Sequence, residues 1–136
     1  MKYIAAVILL LASFRASAVD AGTYVEMLSE HPGGLAALPE TELGEIYPYF
    51  QGIADVLSVV RDSKSGKITL SLADRRPIEI CAPKGVPINA RGLMVMADEE
   101  LTIGLDRLKG LGDAWRRTPV AMLAIARFLD TFRCAP

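Results

Sequence analysis

The strongest constraint on the fold is a pair of cysteines, Cys81 and Cys134, in a chain whose first residues predict export. Lys2 precedes an apolar run from Ile4 to Phe14, and Ala16-Ser17-Ala18 then supplies the small residues of an A-x-A cleavage site. This order is that of a secretory signal peptide, and the apolar run is too short to span a bilayer. We therefore expect residues 1–18 to be removed.

Residues 19–136 form the predicted mature protein, which is long enough for one domain with its own core. No segment after residue 18 approaches 18 uninterrupted apolar residues, so we expect no membrane insertion after cleavage. In an oxidising compartment two cysteines predict one disulfide, whose loop contributes about 4 kcal/mol to stability in the chain-entropy model. Two buried free thiols are the alternative.

Charge composition narrows the classes of partner. Residues 19–136 contain 13 Lys and Arg and 16 Asp and Glu, a net charge of about −3 with histidine neutral. General nucleic-acid-binding proteins carry a basic excess, and so do proteins that bind membranes through a polybasic surface. Because neither class fits this composition, we expect no nucleic-acid partner.

Hydrophobic spacing predicts a mostly α, single-domain bundle of about four to five helices. Helical spacing recurs in four segments, which are 21–31, 40–60, 89–109 and 120–132. Pro48 is expected to kink or divide the second segment. Asn89 is a good N-cap for the third segment. Thr118-Pro119 is a strong start for the fourth, with the Thr118 hydroxyl at the N-cap and Pro119 at the first helical position.

Two short runs in the middle of the chain have a different period. Apolar residues alternate with polar ones over 68–72 and again over 78–80. A period of two is typical of strands, so these runs predict a short β-hairpin that turns around residues 73–76.

The segment from Val120 to Phe132 is apolar around most of its circumference. Its only polar stripe consists of Arg127, Asp130 and Thr131. A helix of this kind is buried on two sides. Either it lies at the centre of the domain, or a second copy of the chain covers it in a dimer, and the sequence leaves both open.

The chain offers few side chains for catalysis. Both cysteines are expected to be oxidised, and the only histidine, His31, is expected to be a solvated cation at the end of the first helix. Two distant cysteines and one histidine do not make a metal site. Carboxylates at positions 98–100 diverge around a helix. We expect no catalytic residue, no metal and no other cofactor, and we favour a binding protein over an enzyme.

Three segments resemble one family. Tyr49-Phe50-Gln51-Gly52-Ile53-Ala54-Asp55 resembles the G-Y-I-x-G-V-x-D helix of the type VI secretion amidase immunity (Tai, resistance-associated) proteins. Cys81-Ala82-Pro83-Lys84-Gly85-Val86 is similar to their C-x-P-x-G-V segment before a long helix. The run from Ala124 to Cys134 resembles their A-L-x-x-A-F-P-C ending. Order and spacing agree across residues 22–136, although this chain lacks the further cysteine pair that relatives carry in their first two helices.

The resemblance implies a small α-helical periplasmic protein, commonly a homodimer, that binds a peptidoglycan amidase effector and occludes its active-site groove. A protruding loop suits a groove, and a few anchoring side chains usually dominate the affinity. The candidate anchors lie in two charged stretches and are Asp62, Lys64, Lys67, Asp74, Arg75 and Arg76. A periplasmic stress chaperone, or an orphan structural or interaction module, is the alternative function.

Overall fold

The computed structural model describes residues 19–71 and 76–135. The predicted signal peptide, residues 1–18, lies outside the described residues, and so do the predicted anchors Asp74 and Arg75. The helices of the described ranges are α1 Ala21–Glu30, α2 Glu40–Leu43, α3 Ile46–Val59, α4 Ala90–Ile103, α5 Leu105–Lys109 and α6 Val120–Thr131. Two 3₁₀ segments, Leu35–Ala37 and Asp113–Arg117, and two antiparallel strands, β1 Ile68–Leu70 and β2 Ile78–Ile80, complete the order. The prediction of a mostly helical bundle with a short hairpin is confirmed.

Helix α4 lies at the centre of the bundle and packs against α3, α6 and the first 3₁₀ segment. The largest fully buried side chains of this core are Tyr24, Leu35, Leu43, Phe50, Met94, Leu101 and Val120. A smaller cluster joins Ile68 and Ile80 of the hairpin to Phe128 of α6. Burying one large apolar side chain contributes about 1.5–3 kcal/mol, so both clusters hold elements together.

Two polar residues of α4 bind the first 3₁₀ segment. The Asp98 carboxylate accepts hydrogen bonds from the Tyr24 hydroxyl (2.7 Å) and the Ala36 N–H (3.1 Å). Arg91 donates through Nη1 to the carbonyls of Ala36 (2.7 Å) and Leu38 (2.9 Å). Burial and the negative charge of Asp98 raise the pKa of Tyr24, which therefore keeps its proton and acts as a donor. Asp98 and Arg91 lie two helical turns apart on α4. Together they provide partners for both the N–H and the carbonyl groups of the first 3₁₀ segment.

The second predicted helical segment is divided at Gly44 rather than at Pro48, so the predicted effect of the proline is wrong. Helix α2 ends at Leu43, Gly44 adopts a φ of +52°, and α3 begins at Ile46. Pro48 is the third residue of α3 and lies in its first turn. Backbone N–H groups there have no acceptor within the helix, so proline fits without breaking it.

The third segment, predicted as one helix to Lys109, is interrupted at Gly104. A Cβ atom on Gly104 would lie 2.6 Å from the Glu100 carbonyl oxygen, a separation that requires glycine unless the backbone shifts. The predicted start is confirmed, because the Asn89 side chain accepts the Gly92 N–H at 2.8 Å.

The predicted N-cap of α6 is wrong. Pro119, not Thr118, occupies the N-cap position, and no side chain caps the helix. The Thr118 carbonyl accepts the Ala21 N–H at 2.8 Å, and the Val120 N–H donates to the Val19 carbonyl at 2.9 Å. This backbone pairing joins the start of α1 to the start of α6, which local sequence does not predict.

The predicted disulfide between Cys81 and Cys134 is confirmed, and it joins the end of β2 to the segment after α6. Ile80 forms an antiparallel bridge with Arg133, and the Cys81 N–H donates to the Phe132 carbonyl at 2.8 Å. The C-terminal segment therefore runs beside β2 and fixes the hairpin against the helical bundle.

The double variant Cys81→Ala/Cys134→Ala is expected to have a free energy of unfolding lower by about 2–4 kcal/mol, because its unfolded chain regains the freedom that the cross-link removes. Urea titrations followed by far-UV circular dichroism measure the difference. Wild-type protein kept reduced with dithiothreitol is the control and should unfold like the double variant. Equal stability of the oxidised wild type and the double variant would contradict the prediction.

Candidate functional site

Two loops at the open end of the hairpin, residues 62–67 and 82–86, lie against each other and are termed the loop pair. Arg61 lies between them. Its Nε donates to the Gly66 carbonyl at 3.2 Å, and its Nη1 donates to the Val86 carbonyl at 2.9 Å. Its Nη2 donates to the carbonyls of Ala82 (3.3 Å) and Pro83 (2.5 Å). One half-buried side chain therefore binds both loops, neither of which contains regular secondary structure.

The guanidinium group suits this position because it carries five N–H donors in a rigid plane, whereas a lysine ammonium concentrates three donors on one atom. Over residues 19–71 and 76–135, no carboxylate forms an ion pair with Arg61. Its charge is stabilised by carbonyl dipoles, so its function in this fold is to hold backbone.

Asp62 closes the first loop of the pair. Its Oδ1 accepts hydrogen bonds from the N–H groups of Lys64 (3.0 Å) and Ser65 (2.6 Å) and from the Ser65 hydroxyl (2.8 Å). The Asp62 N–H donates to the Lys67 carbonyl, and the Gly66 N–H donates to the Asp62 carbonyl, both at 2.8 Å. The carboxylate of Asp62 is thus committed to its own turn, and the loop is ordered without a partner.

Gly66 is where the two loops touch. Its φ of +75° favours glycine, and a Cβ atom there would lie 3.1 Å from Cγ of Lys84 and 3.2 Å from the Ala82 carbonyl oxygen. The loops are therefore packed closely as well as hydrogen-bonded.

The predicted anchors have different surroundings. Lys67 forms an ion pair with Glu79 across the hairpin, with Nζ 2.7 Å from Oε1. Lys64 is exposed, and its ammonium group makes no hydrogen bond or ion pair with any described residue. Arg76 is exposed near the turn end of the hairpin, away from the loop that holds Asp62. The structure thus places Asp62, Lys64 and Lys67 in one loop, whereas Arg76 lies apart from them.

Arg61 and Lys84 are not among the anchors predicted from the sequence. Lys84 is exposed in the second loop, and its positive charge is among the causes that lower the pKa of Asp62 in the first. The two loops are about 20 positions apart in sequence, and their contact depends on Arg61. No local pattern therefore predicts that Lys64 and Lys84 belong to one surface.

Charge is segregated between parts of the fold. Residues 61–87 contain six Lys and Arg against three Asp and Glu, whereas residues 19–60 contain seven acidic residues and no Lys or Arg. Six of these seven acidic side chains are exposed, and they are Glu26, Glu30, Glu40, Glu42, Glu45 and Asp55. Residues 88–135, which complete the helical body, contain six Asp and Glu and seven Lys and Arg. The loop pair therefore carries a net positive charge, whereas the helical body as a whole is net negative. Counting Lys, Arg, Asp and Glu over successive stretches of the sequence shows this uneven distribution, whereas the net charge of the whole chain does not.

A shallow polar depression of about 500 Å³ lies beside the N-terminus of α1. Asp20 in this depression caps α1 by accepting the Thr23 N–H at 2.7 Å, and Arg116 pairs with Glu26 at 2.8 Å. These side chains are already bound within the fold. In the described parts of the chain, no group of three His, Cys, Asp or Glu side chains is placed to hold a metal ion.

Helix α6 packs against α4 on one side and exposes apolar atoms on the other. Met122 is 61% exposed, Ala126 is exposed and Leu129 is half-buried, and these three share the outward face. No helix among the described residues combines the length and the apolarity needed to cross a membrane. Packing on α4 and on the hairpin accounts for the buried sides of α6 within one chain, and the face of Met122 and Ala126 is left uncovered.

Comparison of the chain with protein-family models, curated proteins and solved structures gives no significant match. The family resemblance therefore rests on the three short segments. The first lies within α3, the second forms one loop of the loop pair, and the third spans α6 and the residues after it. The disulfide joins the second segment to the third.

The ordered state of the first loop is expected to depend on pH through Asp62. Hydrogen bonds from Ser65 hold the pKa of this carboxyl below its ordinary value of 3.8. The carboxylate therefore stabilises the loop above the unfolded-state pKa, and this contribution disappears as the pH falls through the lower folded-state pKa. Amide chemical shifts of Lys64 and Ser65, followed by NMR, should titrate with a midpoint below 3.8.

Asp62→Asn is the matched control for this titration, because it keeps the size of the side chain and cannot ionise in this range. Its Lys64 and Ser65 amide shifts should stay flat where those of the wild type change. A wild-type midpoint at or above 3.8 would show that the loop does not favour the ionised carboxylate.

Arg61→Lys is expected to loosen the loop pair while conserving charge, because one ammonium group cannot reach four carbonyls of two loops. Hydrogen exchange of the Gly66 and Val86 amides should become at least about tenfold faster. A change of this size corresponds to the loss of one hydrogen bond or more from the stability of the loops. Arg133→Lys, at an exposed arginine, is the matched control and should leave these amides unchanged. Unchanged exchange in Arg61→Lys would mean that the loops are ordered without the guanidinium.

Proposed function

We propose that this protein is a periplasmic immunity protein that binds a peptidoglycan amidase effector of a type VI secretion system and occludes its active-site groove. The protein carries out no reaction itself. It protects the cell that makes it from its own toxin or from that of a sibling. This proposal joins the resemblance of three segments to one feature of the fold.

The loop pair is the observation that carries the proposal. It is exposed, yet Arg61, Asp62 and the nearby disulfide order it before any partner binds. An ordered loop loses less conformational entropy on binding than a flexible one, so more of the contact energy appears as affinity. An ordered, exposed loop pair therefore suits a protein inhibitor that fills a groove.

The arrangement of the resembling segments also supports the proposal. The Cys81–Val86 segment forms half of the loop pair, and the disulfide attaches it to the C-terminal segment. The Tyr49–Asp55 segment lies in α3, where Phe50 is fully buried in the core around α4. One segment thus builds the second loop of the pair, one attaches that loop to the C-terminal part of the chain, and one belongs to the body that supports it.

The proposed oligomer is a homodimer that uses the outward face of α6. That face presents Met122 and Ala126 to solvent in the single chain, and apolar surface of this kind is commonly covered in homodimers. Light scattering measures the mass of the purified protein in solution, alone and with the enzyme partner, and distinguishes a monomer from a dimer.

The proposal predicts one stoichiometric enzyme partner. Tagged protein comprising residues 19–136 is incubated with secreted and periplasmic fractions from cells with active type VI secretion, and bound proteins are identified by mass spectrometry. We expect one bound enzyme that releases fragments from purified peptidoglycan and loses this activity when the protein is added in equimolar amount.

Heat-unfolded, reduced protein at the same concentration controls for unspecific capture and should neither bind nor inhibit. A bound enzyme that retains full activity would contradict occlusion. Suppressed aggregation of several unrelated unfolded proteins, with no inhibited amidase, would favour the chaperone alternative. Absence of any partner would favour an orphan module.

A further inference from the structure

We propose that the loop pair docks on an acidic peptide segment of the partner protein, with the ammonium groups of Lys64 and Lys84 binding its carboxylates. This inference rests on the proposed function and adds the chemistry of the surface that the partner presents. It follows from three observations on the described residues.

The first observation is that these two lysines are the free cations of the loop pair. The charge of Lys67 is paired with Glu79, and that of Arg61 faces four carbonyl groups. Lys64 and Lys84 are exposed, and neither ammonium group bonds to another residue of the described ranges. Within the loop pair these two ammonium groups therefore remain available to a partner, and the Lys84 charge in addition acts on the Asp62 carboxylate.

The second observation is that the two lysines are held in one place. Cγ of Lys84 lies against Gly66, two residues after Lys64, and the guanidinium of Arg61 binds carbonyls of both loops. Asp62 closes the turn that carries Lys64. Cations on an ordered backbone make a pattern that a partner can match, whereas cations on flexible loops do not.

The third observation is the net negative charge of the helical body, which contains 13 Asp and Glu and seven Lys and Arg over residues 19–60 and 88–135. A nucleic acid or an anionic membrane presents negative charge over a long distance and would be repelled by this body. A short acidic segment can lie on the loop pair without lying along the helical body, and charges more than about 8 Å away are largely screened at physiological ionic strength. The distribution of charge thus favours a local acidic peptide as the partner surface.

The probe for this surface is hexa-L-glutamate, titrated into ¹⁵N-labelled protein at low ionic strength. We expect the largest amide shift changes within residues 62–67 and 82–86, and no response to hexa-L-glutamine. Charge reversal at both positions, Lys64→Glu/Lys84→Glu, should weaken the apparent affinity at least about fivefold. Because Lys84 also stabilises the ionised Asp62, an unchanged Ser65 amide shift in the free variant must first show that the loop keeps its order.

Lys109→Glu is the matched control, because Lys109 is an exposed lysine on α5 without an ion pair among the described residues. It should bind hexa-L-glutamate like the wild type. Shift changes centred outside the loop pair, or equal weakening by the control, would overturn the inference. An equal response to inorganic phosphate at the same charge concentration would also overturn it, since the surface would then be a general anion site.

The two proposals fail separately. If the loop pair binds hexa-L-glutamate as expected but no amidase is inhibited, the proposed function is wrong and the surface belongs to another protein partner. If an amidase is inhibited equally by wild type and by Lys64→Glu/Lys84→Glu, with equal association rates at low salt, the function stands and the inferred surface is wrong.

Discussion

The hydrogen bonds of Arg61 are the interaction on which the exposed part of the fold depends. Loops without regular structure leave carbonyl groups that need donors, and a buried carbonyl without one costs about 1–3 kcal/mol. Arg61 supplies donors to four carbonyls from residues that lie on both sides of the hairpin. The disulfide then attaches the end of β2 to the segment after α6, so the region is held at the hairpin and at the bundle.

The same physical solution recurs inside the bundle. Asp98 and Arg91 of α4 bind the N–H and carbonyl groups of the first 3₁₀ segment, as Arg61 binds the loop pair. In both places a side chain replaces the backbone partner that a helix or a sheet would supply. The core orders the helices through apolar contact, whereas charged side chains order the segments between them. A small domain thereby keeps long irregular stretches in a single conformation.

The difference between apolar contacts, which order the helices, and charged side chains, which order the irregular segments, explains what could be predicted from sequence. Helices, the hairpin and the disulfide follow from residue periodicity and cysteine number, which are local or countable features. The break at Gly104 does not follow, because it depends on the approach of the Glu100 carbonyl. The proximity of Lys84 to the loop of Lys64 does not follow either, since it requires Arg61 to join loops that are distant in sequence. The candidate site was therefore predicted in its first loop and missed in its second.

Segregated charge gives the fold an orientation that a uniform surface would lack. The loop pair would attract an acidic patch, whereas the exposed carboxylates of α1, α2 and α3 would repel it, so the inferred partner surface is favoured at the loop pair. Such steering acts on the rate of association, and an ordered loop acts on the lifetime of the complex, because little entropy is regained on release. An inhibitor must win against a substrate that is always present. For the proposed inhibitor, fast, oriented encounter and slow release would be the two properties required, and different residues of the same short loops would supply them.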